Sequence, residues 1–100
     1  MKKQYAFLLM GEHYDPDTHR CRFETESDIV HLRTVRNFEE AKKTVLLLKK
    51  DGIGAIELCG AFGPEKAREL TELTDNETAI GYVVHDTSLD SVFTRFFGSP

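Results

Sequence analysis

A small α/β fold with a mixed, mainly parallel sheet is what this sequence predicts, and three observations carry the prediction. Strand-like runs at 4–10, 53–59 and 80–85 alternate with helical periodicities at 38–50, 64–74 and 87–97, the pattern that builds parallel strands joined by crossover helices. Between them, residues 20–35 read as two further strands and a turn, a hairpin for the sheet's edge. The chain has 100 residues, 40% of them hydrophobic and 30% charged, which suits one domain (1–100) with one core and no need of disulfide or metal staples. The expected order of elements is β-ββ-α-β-α-β-α, with the helices packed on the sheet.

The elements follow in order. Gln4–Met10 is short, apolar and aromatic, and Gly11 closes it. Asp15-Pro16-Asp17 is a turn. Arg20–Thr25 alternates Arg20, Arg22 and Glu24 against Cys21, Phe23 and Thr25, as a half-exposed strand does. Ile29–Val35 is β-branched and completes the hairpin. Asn37 caps a helix, with Glu40 placed to close a capping box. Phe38, Ala41, Val45 and Leu48 then recur at helical spacing, and Glu39 pairs with Lys43 outside. Lys49 and Lys50 suit the negative end of the helix dipole, and Gly52 takes the left-handed cap.

Ile53–Cys59 is apolar on both faces apart from Glu57, as in a central strand covered on both sides. Gly60–Gly63 is a tight loop, and Pro64 opens a second helix whose inner stripe is Ala67, Leu70 and Leu73 or Thr74. Ile80–His85 is the last strand. After Asp86-Thr87, the residues Leu89, Val92, Phe93, Phe96 and Phe97 make one apolar face of a final helix.

Charge and cysteine usage narrow the function classes. The net charge is -4, and neither half of the chain has the basic surplus that phosphate-backbone binding requires, which argues against nucleic acid. No stretch is apolar for long enough to cross a membrane. Cys21 and Cys59 stand far apart with no C-x-x-C pattern and read as free thiols, so the cytoplasm is the expected compartment. No cofactor and no metal is expected. His13, His19 and Cys21 lack any zinc-ligand spacing.

Topology nominates a site. In open parallel sheets, ligands bind beyond the carboxyl ends of the strands. Those ends bring Glu57, Cys59 and Gly60 together with His85 and Asp86, joined by Glu12 and His13 if the first strand is parallel to them. The Gly60-Ala61-Phe62-Gly63 loop approaches a helix start, whose free backbone N–H groups suit a small anionic ligand. The competing reading is a tight connection that needs glycine angles. Cys59 as nucleophile, His85 as its base and Glu57 as acid/base or orienter would form a catalytic set. Against it stand a buried, inert thiol and a Glu57 ion pair with Arg33 or another basic residue.

The segment Ile56-Glu57-Leu58-Cys59-Gly60-Ala61-Phe62-Gly63-Pro64-Glu65 resembles the E-L-C-G-x-F-G-P signature of a family of short bacterial proteins classed as a domain of unknown function. Asp15-Pro16, His19-Arg20 and Gly81-Tyr82-Val83-Val84 are similar too, and the likeness spans about residues 4–86. It implies a fold and marks Glu57, Cys59, Gly60, Phe62, Gly63 and Pro64 as motif residues, but it carries no activity.

The leading expectation is therefore a small-molecule or anion-binding α/β domain. The alternatives are a small isomerase, lyase or hydrolase using Glu57, Cys59 and His85, and a structural assembly subunit. A homo-oligomer, a dimer, is expected as well. Unless strand order reverses between them, right-handed crossovers place the 38–50 and 64–74 helices on one sheet face, and the helix at 87–97 is too short to cover the other alone; the competing reading has the order reverse and that helix pack wholly on its own chain.

Overall fold

The computed structural model describes residues 1–98, so the last two residues of the expected domain lie outside the described residues. Its elements are β1 (Lys3–Met10), β2 (Cys21–Glu24), β3 (Asp28–Val35), α1 (Phe38–Lys50), β4 (Ala55–Leu58), α2 (Gly63–Leu73), β5 (Ala79–Tyr82), a 3-10 turn at Thr87–Leu89 and α3 (Asp90–Phe97). The order matches the expected one. The five strands form one sheet in the order β2-β3-β1-β4-β5. β1 runs parallel to β3 and β4, β4 runs parallel to β5, and β2 alone is antiparallel, as the edge partner of β3.

Strand order decides where the helices go. From β3 through α1 to β4 the chain steps over β1, and from β4 through α2 to β5 it steps one place further the same way. Two right-handed crossovers in one direction lie on one face. Register identifies that face: Ala6 pairs with Ile56 and Leu8 with Leu58, and all four are fully buried. Against them pack Ala41, Val45 and Leu48 of α1, Ala67 and Leu70 of α2, and Phe62 at the α2 start.

Alternate residues of the same strands point the other way. Tyr5, Phe7 and Leu9 are only half-buried, Leu32 is 37% exposed and Phe23 is 56% exposed. Among the described residues, no helix covers this side. The loop after β1 crosses only its upper rim, where the Thr34 hydroxyl donates to the His19 carbonyl at 2.8 Å. The central strand is β1, so the expected position for the 53–59 run moves one place outward, and its expected second cover is missing.

Several local expectations change in detail. The Asn37 side chain accepts from the Glu40 N–H at 2.9 Å. The Glu40 carboxylate, however, reaches back to the backbone N–H and guanidinium of Arg36 rather than to Asn37. A charged donor next door is the stronger partner. Glu39 pairs with Lys42 at i,i+3, not with Lys43. Lys49 does more than face a dipole: its ammonium donates to the Thr74 carbonyl at 3.0 Å and pairs with Glu77 at 2.7 Å, which ties the ends of both helices together. Gly52 has the left-handed φ of +92°, but α2 ends without glycine. Asp75 and Asn76 take left-handed angles there, with φ 57° and 60°, a conformation short polar side chains tolerate.

The expected helix at 87–97 is the largest departure. Asp86 caps a 3-10 turn by accepting from the Ser88 N–H, α3 starts only at Asp90, and no residue of α3 is buried.

One-sided burial predicts a sharp contrast between two leucines. Leu70 is fully buried beneath α2, whereas Leu47 on α1 is 57% exposed. Leu70→Ala should cost about 3 kcal/mol, through lost transfer energy plus a cavity, and Leu47→Ala about 0.5 kcal/mol or less. Chemical denaturation of both variants checks this.

Candidate functional site

The residues nominated from the sequence gather only in part. Strand pairing does bring the ends of β1, β4 and β5 together: the Cys59 N–H donates to Leu8 O, and the Val83 N–H to Leu58 O. The Cys59 sulfur accepts from the Met10 N–H at 3.4 Å, and the residue packs against the core. His85 turns away, with Nε2 2.7 Å from Asp90 Oδ1 and its ring stacked on Phe93 at 3.8 Å. Asp86 is used as a cap. Glu12 and His13 touch each other at 3.3 Å with side chains 84% and 94% exposed. Among the described residues, Glu57, Cys59 and His85 share no hydrogen bond with one another.

The helix start at the strand ends is tight but not basic. Gly63 has φ +73°, whereas Gly60 is not left-handed and has room for a Cβ. Phe62 is a core residue, 3% exposed. A shallow concavity of about 400 Å³ beside the loop is lined by Phe38, Phe62, Gly63, Pro64, Lys66 and two carboxylates, Glu65 and Glu69. Two acids against one lysine oppose the approach of an anion.

Glu57 stands on the open face of the sheet, opposite the side where Arg33 lies, so the expected pair with Arg33 does not form. Its carboxylate has neither hydrogen bond nor ion pair among the described residues. It lies over Gly81, where a Cβ would stand 2.6 Å from Glu57 Oε2. The Tyr5 phenol is held above its ordinary pKa, first by burial and second by the Glu57 charge.

A basic concavity on the helix side was missed by the sequence reading. It occupies the angle between the end of α1 and the β2–β3 hairpin, holds about 220 Å³, and is lined by Arg20, Cys21, Arg22, His31, Arg33, Gln4 and Asp51 over a floor of Leu48 and Ile53. Register builds it. Arg22 stands directly across from His31, and Arg33 is two residues along the same face. Gln4 braces His31, its Oε1 lying 3.0 Å from His31 Nε2. Arg33 Nε is buried with no hydrogen-bond partner among the described residues.

The cluster's electrostatics are self-opposed. Burial first and then Arg22, Arg33 and Arg20 push the His31 pKa down, with Asp51 pulling weakly the other way. Burial first and then Arg20 lower that of Arg33. The alternation of Arg20 and Arg22 was visible in the sequence. That Arg33 and His31 share their face required the strand pairing.

Glu57→Gln should lower the Tyr5 pKa while leaving it above its ordinary value, because burial is the larger cause. A tyrosine whose folded pKa is raised favours the fold below the unfolded value of about 10 and loses that advantage as pH rises through the folded value. The alkaline loss of stability should therefore begin near pH ~10 in both proteins and extend further in the parent chain. Ultraviolet titration of tyrosinate with parallel unfolding measurements decides it. An unchanged Tyr5 titration in the variant would reject the coupling.

Among the described residues, no helix is long and apolar enough to cross a membrane. No curated protein and no solved structure matches the chain. A family model does match it over residues 3–98, beyond the limit near residue 86 that the resemblance suggested, so α3 lies inside the matched length. The chain belongs to the family described as Family of unknown function (DUF6506).

Proposed function

We propose that this protein is a small anion-binding domain, and that the arginine-lined concavity between α1 and the β2–β3 hairpin takes the phosphate, sulfate or carboxylate group of its ligand. The observation that carries the reading is the buried, unpartnered Arg33 Nε in a concavity also lined by Arg20, Arg22 and His31. An unmet buried donor on a charged group costs on the order of 1–3 kcal/mol or more, and like charges held near one another add to the cost. One oxyanion relieves both, because a guanidinium presents a planar fork that matches two oxygens. The Leu48 and Ile53 floor gives an attached apolar portion somewhere to rest. A catalytic reading has no comparable support, since no group in the concavity is a nucleophile paired with a base.

Sulfate is a suitable probe because its charge is constant across the useful pH range. Titrated sulfate should shift the Arg33 Nε–H and His31 ring resonances saturably, and chloride at matched ionic strength should not. Arg33→Gln should abolish the saturable His31 response, and Arg20→Ala should weaken binding about tenfold, the worth of one charged hydrogen bond. Saturable shifts at the backbone amides of 60–65, with Arg33 silent, would move the site to the helix start and reject this proposal.

The pH dependence has a definite sign. The folded pKa of His31 is depressed, so its contribution to stability is present above the unfolded value of about 6.5 and is lost as pH falls below it. A bound anion favours the imidazolium and raises that pKa. Sulfate should therefore bind more tightly at pH ~6 than at pH ~8 and stabilise the fold most on the acid side. Thermal unfolding with and without sulfate at both pH values reads this. Equal stabilisation at the two values would remove His31 from the site.

A further inference from the structure

Two apolar surfaces of this chain are left uncovered, and they differ in shape. One is the sheet face away from α1 and α2, where Tyr5, Phe7, Leu9, Leu32 and Phe23 stand half-buried or exposed. The other is α3, whose Phe96 and Phe97 are 81% and 75% exposed, with Leu89 and Val92 at 45% and 48%. Large apolar patches of this kind mark interaction surfaces. A flat sheet face and an amphipathic helix are natural partners, since packing a helix on a sheet is how layered folds bury both. The helix nevertheless stands off its own sheet, held by the Asp86 cap and by His85, which bonds Asp90 and stacks on Phe93.

Charge adds a second line of argument. Glu57 is a carboxylate on β4, on the open face, with no ion pair among the described residues. Arg95, on the flank of the α3 stripe opposite to the one that carries Asp90, has no ion pair among the described residues. The carboxylate on the open face and the guanidinium on the helix thus each lack a partner in their own chain among the described residues, and their signs are opposite.

We infer that the occupant of the open face is a second copy of this chain, with α3 of each protomer lying across the other's sheet and Arg95 meeting the partner subunit's Glu57. The arrangement is isologous and closes with two copies, as a two-fold dimer does. Its size suffices. Five strands at about 4.8 Å spacing, up to eight residues long at about 3.3 Å each, give a face on the order of 500 Å². The helix stripe brings the surface per copy toward the ~800 Å² of a standard interface. Burial against a desolvated arginine also gives Glu57 the partner that its own chain does not supply.

Sedimentation velocity on the full chain tests this. The parent chain should sediment as a dimer at tens of micromolar. Phe96→Asp and Phe97→Asp, both at exposed positions, should leave the far-ultraviolet circular dichroism unchanged and weaken the dimer by ~30-fold or more, as loss of an aromatic anchor does. Glu57→Arg and Arg95→Glu should each weaken it, and the doubly exchanged chain should recover most of the loss. A parent chain that stays monomeric overturns the proposal, whether α3 closes on its own sheet or the face serves a different protein. A dimer that survives Phe96→Asp overturns the helix exchange. A double exchange no tighter than its single variants overturns the Glu57–Arg95 contact.

Discussion

Both helical crossovers advance in the same direction along the sheet, and almost everything else in the structure follows from that. The step from β3 over β1 to β4 and the next from β4 to β5 leave a right-handed chain no choice of face. The core therefore lies entirely between α1, α2 and one side of the sheet, built on Ala6, Leu8, Ile56 and Leu58. The connection from β1 to β3 goes the opposite way, and it contributes a loop rather than a helix to the other side. That loop shelters Thr34 at the rim and leaves Tyr5, Phe7 and Leu9 for α3 or another molecule to cover.

Two of the polar groups that lack partners among the described residues mark places where this fold is open. Arg33 Nε is buried on the helix side, in a concave and basic setting. Glu57 lies on the open side, in a flat and apolar one, over the glycine that makes room for it. The first setting suits a small charged ligand and the second suits a surface carrying a counter-charge. Their separation by the thickness of the sheet keeps the two roles physically distinct.

The segment Glu57–Pro64 reads differently once its contacts are known. Leu58 and Phe62 are core residues, the Cys59 sulfur caps the Met10 N–H, Gly63 takes a left-handed angle, and Pro64 sits in the first turn of α2. Each of these makes the strand-to-helix connection, so the fold itself accounts for most of the segment. Glu57 is the exception. No fold requirement places a carboxylate on that face, and Gly81 is shaped around it.

How much of this was legible depends on whether the signal was local. Alternation in Arg20–Thr25, the Asn37 cap, the apolar stripe of α1 and Pro64 before α2 each act within a few residues, so the order of elements, the edge hairpin and the shared face of the two helices were readable from the chain. Non-local questions were not. Strand order moved β1 to the centre, put Arg33 and Glu57 on opposite faces and so denied Glu57 the partner the sequence offered it. The same pairing set Arg22 across from His31 and created a basic concavity in a chain whose net charge is -4. Periodicity marked the apolar face of α3 correctly, yet could not say what would cover it. By itself the sequence determined the kind and order of the strands and helices, though not all their limits, because hydrogen bonding and side-chain spacing along the backbone act at short range. Only the tertiary structure decided which charges meet and which faces stay open, because a period-two strand has two equivalent sides until its neighbours are chosen.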